Sequence, residues 1–380
     1  MSDSMNWPPP GPMRRRGPRP LQLHLALANA RNLANPRTKT TTAEAGIADA
    51  CVDRALIAGI AAYRRHPWMR VATDPPALWA EGSARLLDYG GDGPTLLVVP
   101  SLVNRASVLD LLPERSMMRW LAGNGVRALL LDWGWPGTLE RSFSLTDHVA
   151  GRLERAVAQI GRPVVLVGYC MGGLLAAALA QRRPDLVAAL ALLAVPWDFH
   201  AVDAGRAKAM AAMAPLLEPV MAQGDALPVD AVQALFALAD PHGVAARYRA
   251  FAAMDQDSAR ARDFVAMEDW LNDGVPLAAP VARECIAGWY GANSPARGAW
   301  CIAGLPVAPQ TLTMPAFVAI PARDHIVPPE SAAALAALIP HATVHRPAAG
   351  HVGMVAGSHA EAALWRPLRD WAQTTQAGAD

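Results

Sequence analysis

Apolar positions follow three different patterns along the chain. In 21–33 and again in 43–65 they recur every three to four residues, with Ile47, Cys51, Leu56 and Ile60 at near-helical spacing in the second segment. That periodicity predicts two amphipathic helices packed on the outside of a later domain. From residue 84 the pattern becomes a series of short, mainly apolar segments, 84–89, 95–99, 126–132, 164–167 and 186–195. Continuous runs of this length predict strands, and 95–99 reads as one buried on both faces. Helical stretches, 147–160 and the one beginning after the turn at residue 170, alternate with the strands. This order predicts an α/β fold built on a mostly parallel, doubly wound sheet with right-handed crossovers. From residue 198 to about 300 the strand signal is lost, and Ala, Met and Leu recur at helical spacing, broken at Gly224-Asp225 and at Asp240-Pro241-His242-Gly243. An inserted helical cap follows, its methionines read as core filler. The strand pattern returns at 316–320, a helix is expected over 330–338, and a last strand lies near 343–346.

Residues 1–20 fit none of these patterns. They combine proline, glycine and Arg14-Arg15-Arg16 with almost nothing to bury, as expected of a disordered basic arm. A twin-arginine signal is the competing reading, but Gln22 and His24 interrupt the segment that would have to be its apolar core. The expected organisation is therefore an arm (1–20), an N-terminal helical segment (21–83), the first part of the core (84–197), the cap (198–300) and the second part of the core (301–380).

Composition removes several function classes. At 380 residues with a net charge of +1 and 18% charged residues, no global field favours nucleic acid or an anionic membrane. The hydrophobic content of 52% comes largely from alanine and is nowhere gathered into a run long enough for a spanning helix. The four cysteines, Cys51, Cys170, Cys285 and Cys301, show neither disulfide nor metal-ligand spacing. No metal is expected, and a reducing cytoplasm suits them.

The chemistry centres on Gly168-Tyr169-Cys170-Met171-Gly172-Gly173, a sharp turn between a β-branched strand and an apolar helix. Such a turn holds its central residue in a strained conformation, so Gly168 and Gly172 must approach closely without a Cβ. Cys170 is the candidate nucleophile, with helix-start amides favouring its thiolate and the Met171 N–H facing a developing oxyanion. A structural cysteine in a glycine-rich turn is the competing reading of this motif alone. The loop Pro100-Ser101-Leu102-Val103-Asn104-Arg105 follows the 95–99 strand, which makes the Val103 N–H a candidate second oxyanion donor. Asp324 and His351 each stand just past the C-terminal end of a strand, the rim where open α/β sheets place their sites. The order Cys170, Asp324, His351 is the nucleophile, acid, histidine order of α/β-hydrolases. His325 also lies near the rim but precedes the final strand, so it reads as a supporting or structural residue, and Tyr169 as a supporting one.

With these residues in place the chain resembles the polyhydroxyalkanoate synthases, nearest to the short ones that work with a second subunit. The resemblance runs from about residue 84 to 354. It is carried by VPSLVNRASVLDL, DWGWPG, GYCMGG, AVPWDFHA, ARGAWCIAGLPV, ARDHIVPPES and AGHVGM. Cysteine in the turn is the most specific of these, because most α/β-hydrolases use serine. The chain departs from the family at Leu271-Asn272-Asp273-Gly274-Val275-Pro276, where a Ser-Pro-Asp type turn is usual, and at Trp135.

The resemblance implies an acyltransferase that polymerises (R)-3-hydroxyacyl-CoA with release of CoA. Cys170 would carry the acyl group, His351 would be its base and Asp324 the third member, with Val103 and Met171 as oxyanion donors. Asn104 and Asp110 match family positions near the site. No cofactor is implied, since the CoA thioester is the substrate. A thiolate exchanges with a thioester at little thermodynamic cost, whereas serine would form an oxygen ester as stable as each polymer linkage. A hydrolase using the same triad with water as acceptor is the alternative. A second synthase subunit or a polymer granule surface is the expected partner, docking through the N-terminal region and the cap, and a homodimer is compatible with the resemblance.

Overall fold

The computed structural model describes residues 15–34, 53–71 and 73–377. Ile47, Cys51 and Arg14 lie outside the described residues. The chain divides into two compact units, a larger one comprising Arg70–Ala239 and Asp273–Asp380, and a smaller one comprising Met1–Met69 and Asp240–Asn272. The segment expected to form one cap, 198–300, is thus shared between the two.

Among the described residues the main sheet of the larger unit has eight strands: β1 (Ala77–Glu81), β2 (Ala84–Asp88), β3 (Thr95–Val99), β4 (Arg127–Asp132), β5 (Val164–Tyr169), β6 (Val187–Leu193), β7 (Ala316–Ala319) and β8 (Thr343–His345). Their order across the sheet is β1-β2-β4-β3-β5-β6-β7-β8. The pairings β1/β2 and β2/β4 are antiparallel, and every pairing from β4 through β3 to β8 is parallel. The expected mostly parallel sheet is therefore present. The central strands β3 and β5 are buried at every position, which is why their sequences show no alternation. β1 was not expected from the sequence; it is an edge strand with exposed and half-buried positions only, so it leaves no apolar signature.

Helix Met171–Arg182 follows β5 directly and is buried from Met171 to Ala180, as its alanine and leucine content requires beneath a sheet. The helical stretch before β5 is wound as a wider π-helical turn over Asp147–Leu153 and continues as an α-helix over Glu154–Ala158. After β6 come helices Ala204–Ala211, Ala214–Gly224 and Val229–Ala239. A strand signal does persist in this region: Ala226–Leu227 pairs antiparallel with Leu277–Ala278, a two-residue ladder too short to produce a period. No helix among the described residues is long and apolar enough to cross a membrane.

In the smaller unit, helix Arg54–Arg65 packs on helix Gly243–Ala252 around Leu56, Ile60, Tyr63, Tyr248 and Phe251. Gly59 makes the close approach possible, since a Cβ there would lie 2.0 Å from the Tyr248 carbonyl oxygen. The arm expected to be disordered through residue 20 is corrected from Arg15 onward. Gly17 and Pro18 are buried, and the Arg15 guanidinium grips Asp269 through Nε at 2.6 Å and Nη2 at 2.7 Å. A proline-rich basic composition hides this, because one bidentate arginine pair anchors a segment that has no core of its own.

Candidate active site

β5 drives the site. Its last residue, Tyr169, is buried, and the chain then turns through Cys170 at φ 54°, ψ −129° into the helix beginning at Met171. A non-glycine residue at positive φ costs about 1–3 kcal/mol and persists only where its surroundings enforce it. Here the Cys170 N–H donates to Leu193 O at 2.9 Å, and Gly173 N–H donates to Cys170 O at 2.9 Å. The two glycines singled out in the sequence have steric reasons. A Cβ on Gly168 would lie 2.3 Å from Gly173 Cα, and one on Gly172 would lie 2.2 Å from Val99 O. Gly173 belongs with them, since a Cβ there would meet Val195 Cγ2 at 2.0 Å; the Gly-Gly doublet was its only signal.

The loops after β7 and β8 are zipped together along their backbones. Ile320 N donates to His345 O at 2.8 Å, Ala322 N to Pro347 O at 2.9 Å and Arg323 N to Ala349 O at 3.0 Å. This brings Asp324 and His351 face to face, with His351 Nδ1 2.7 Å from Asp324 Oδ2. The other carboxylate oxygen accepts the Ile326 and Val327 N–H groups at 2.8 and 2.9 Å. With Nδ1 engaged by the Asp324 carboxyl, Nε2 is the ring nitrogen left to exchange a proton with the neighbouring Cys170. Tyr169 backs the imidazole, its ring centroid 5.1 Å away and its hydroxyl donating to His351 O at 3.3 Å.

Burial opposes charging the His351 ring, but the negative charge of Cys170 and the hydrogen bond to Asp324 outweigh it, and its pKa is pushed up to about 10. Burial raises the Tyr169 phenol well above its ordinary value, with the Cys170 and Asp324 charges adding to the effect. The arrangement places an imidazole that can take up a proton beside the Cys170 side chain and can return that proton to a leaving group.

Cys170 opens into a cavity of about 270 Å³ whose lining also includes Ser101, Val103, Met171 and His325. Its walls are mainly apolar, among them Phe199, Met210, Leu235, Ile286 and Trp289. A clamp missed in the sequence shapes this wall. Asn293, buried and at φ 52°, donates from Nδ2 to Asp198 Oδ1 at 2.8 Å and accepts the Phe199 N–H at 3.0 Å. Phe199 then stacks on Trp289 with centroids 5.6 Å apart. Cys285 lies in the same cavity, and burial, then the neighbouring Glu284, raises its thiol.

The remaining expected residues are placed differently. The Met171 N–H is at the first helical position, where no carbonyl of the helix can accept it. The Val103 N–H is directed at Ser101 Oγ, 3.1 Å away. His325 is exposed at the cavity rim. Asn104 Oδ1 is buried with no hydrogen-bond partner among the described residues and lies beside Gly274. Asp110 does not line the cavity; its carboxylate is gripped by Arg119 Nε and Nη2 at 2.8 and 2.9 Å and by the Tyr89 hydroxyl at 3.1 Å. An aspartate inside a sequence motif does not reveal that Arg119, nine residues on, and Tyr89, 21 residues before, are its partners.

A sequence profile of the α/β hydrolase fold matches residues 94–357. The poly(3-hydroxyalkanoate) polymerase subunit PhaC of Haloferax mediterranei is 30% identical over 326 residues, covering 81% of this chain and 65% of that protein. The protein of the same name from Allochromatium vinosum is 26% identical over 284 residues, covering 73% of this chain and 79% of that protein. Among solved structures, a carboxylesterase of Nitrososphaera gargenis matches with a TM-score of 0.50 at 12% identity, over 79% of this chain and 99% of that one, a likeness of fold alone. With its mostly parallel sheet, its strained turn after β5 and a profile match across most of its length, the chain belongs to the α/β-hydrolase fold family and within it is similar to the poly(3-hydroxyalkanoate) polymerase subunits.

Proposed function

We propose that this protein is an acyltransferase that polymerises (R)-3-hydroxyacyl-CoA into polyhydroxyalkanoate through a thioester on Cys170. The observation that carries the reading is a cysteine, in place of the usual serine, at the strained turn of a chain similar over most of its length to proteins named as polymerase subunits. His351 and Asp324 stand in hydrogen-bonded sequence beside it.

In the first half-reaction Cys170 Sγ forms a bond to the thioester carbonyl carbon while the carbonyl electron pair moves onto oxygen. The Met171 N–H, at the start of the helix, faces that charge. Collapse breaks the bond to the CoA sulfur, and the proton held by His351 passes to the departing thiolate. In the second half-reaction a 3-hydroxyl loses its proton to His351 and its oxygen bonds to the acyl carbon, releasing Cys170 Sγ. General-base assistance of this kind contributes roughly 10²–10⁴-fold. The apolar cavity wall supports transfer to a hydroxyl over hydrolysis, because it disfavours water near the thioester.

The test uses radiolabelled (R)-3-hydroxybutyryl-CoA and the full chain. Expected outcomes are stoichiometric labelling of Cys170, release of free CoA and insoluble polymer, all lost in Cys170→Ala with the circular dichroism spectrum unchanged. CoA release with only soluble 3-hydroxybutyrate would make the protein a hydrolase. Labelling that persists in Cys170→Ala would overturn the assignment of the nucleophile.

A further inference from the structure

The loop over the nucleophile holds a polar group that the reaction as written does not use. Ser101 lines the cavity together with Cys170 and Met171, and its Oγ accepts the Val103 N–H at 3.1 Å. The short segment that carries this amide is anchored at both ends, at the Pro100 and Val103 carbonyls. The Trp133 indole N–H donates to Pro100 O at 3.1 Å, and the Val275 N–H donates to Val103 O at 3.4 Å. Beneath the loop, a Cβ on Gly172 would lie 2.6 Å from Pro100 O, so the loop backbone rests directly on the first turn of the helix that carries Met171. Turning the Val103 N–H from Ser101 toward an acyl oxygen would disturb these contacts.

A serine hydroxyl that accepts an N–H still has its own O–H to give, and accepting polarises that O–H into a stronger donor. We infer that the second donor to the acyl oxyanion is the Ser101 hydroxyl, with the Val103 N–H acting through it as a positioning group. The inference rests on acyl transfer at Cys170 as proposed above. As Sγ bonds to the acyl carbon and the carbonyl pair moves to oxygen, Ser101 O–H and Met171 N–H donate hydrogen bonds to that oxygen and transfer no proton. The proton balance between Cys170, His351 and the leaving group is unchanged. The interaction strengthens as charge develops, so its effect falls on the rate of acylation and little on ground-state binding.

The experiment compares Ser101→Ala and Ser101→Thr with the wild type in the full chain, using two acyl probes, p-nitrophenyl butyrate and (R)-3-hydroxybutyryl-CoA. Alkylation of Cys170 by iodoacetamide runs in parallel, because displacement of iodide forms no oxyanion. Ser101→Ala is expected to slow acylation by roughly 10²-fold, the usual effect of losing one oxyanion donor. Its KM and its alkylation rate should stay at the wild-type values, and Ser101→Thr should recover most of the acylation rate. Acylation by Ser101→Ala at the wild-type rate, or faster as it would be if the serine merely blocked Val103, overturns the inference. A parallel fall in acylation and alkylation overturns it too, since that marks a general defect at Cys170. If the wild type acylates with p-nitrophenyl butyrate but yields neither CoA nor polymer from the thioester, the polymerase reading fails while the Ser101 comparison still stands. If the wild type alkylates but accepts neither acyl group, both fail.

Discussion

Asp110 and Asp324 are carboxylates of the same unit, 4% and 5% exposed, and both were expected near the site from sequence. Their surroundings separate them. Asp110 is held by Arg119 in a two-pronged pair, by the Tyr89 hydroxyl, and by Arg70 at 3.7 Å. Arginine does not give up its proton in proteins, so neither Arg119 nor Arg70 can exchange one with Asp110, and the cluster works as a fastening. Asp324 instead meets two backbone amides and a histidine, the side chain whose ordinary pKa lies nearest neutrality. That cluster can change its charge, because the His351 proton has somewhere to go. Burial is common to both; what distinguishes the candidate site from a brace is whether the partner can titrate.

The comparison breaks most visibly at the histidine. His351→Gln removes the acceptor of the Cys170 proton, and acylation measured by label transfer should fall roughly 10²–10⁴-fold. Asp324→Asn keeps an acceptor for the backbone amides, and it should still take label but turn over slowly. Equal loss of labelling in the two variants would leave Asp324 with orientation of His351 as its only role.

Asp110→Asn should produce the opposite profile. Acylation should stay at the wild-type rate, while stability to urea falls by about 1–3 kcal/mol as the buried hydrogen-bond set loses its negative charge and one of its two acceptor oxygens. Lost acylation at unchanged stability would move Asp110 from the brace to the site.

The smallest effect is a titration. With its pKa raised above the unfolded value of about 6.5, His351 contributes stability that is fully present below that pH and is lost as pH rises through about 10. The Cys170 charge is the largest raising influence, so in Cys170→Ala the His351 midpoint read from imidazole nitrogen NMR should move down and this part of the alkaline stability loss should shift with it. An unmoved midpoint would mean that Asp324 alone holds the proton.

Much of this was legible in the chain because it is local. β3 appears at its bounds as a β-branched Thr95 followed by four apolar residues, since a strand buried on both faces shows no polar alternation to blur it. The turn at Cys170 is legible because Gly168 and Gly172 are required by backbone contacts that any side chain would violate. Asp324 and His351 were found by their places after the last two strands, and the structure brings them to 2.7 Å. β1 was not legible, as a half-exposed edge has no apolar period. Nor was the anchoring of Arg15, whose partner Asp269 lies 254 residues away.

By itself, the sequence determined most of the strand and helix order, the strained turn and the cysteine at its centre, all properties of short stretches governed by sterics and apolar period. Only the tertiary structure decided which polar groups share partners: that Asp110 meets arginine while Asp324 meets histidine, that the Val103 N–H faces Ser101, and that 240–272 joins the N-terminal segment in one unit. The reason is physical. A hydrogen bond or ion pair depends on a few tenths of an ångström between atoms brought together by distant parts of the chain, and no local pattern encodes that distance.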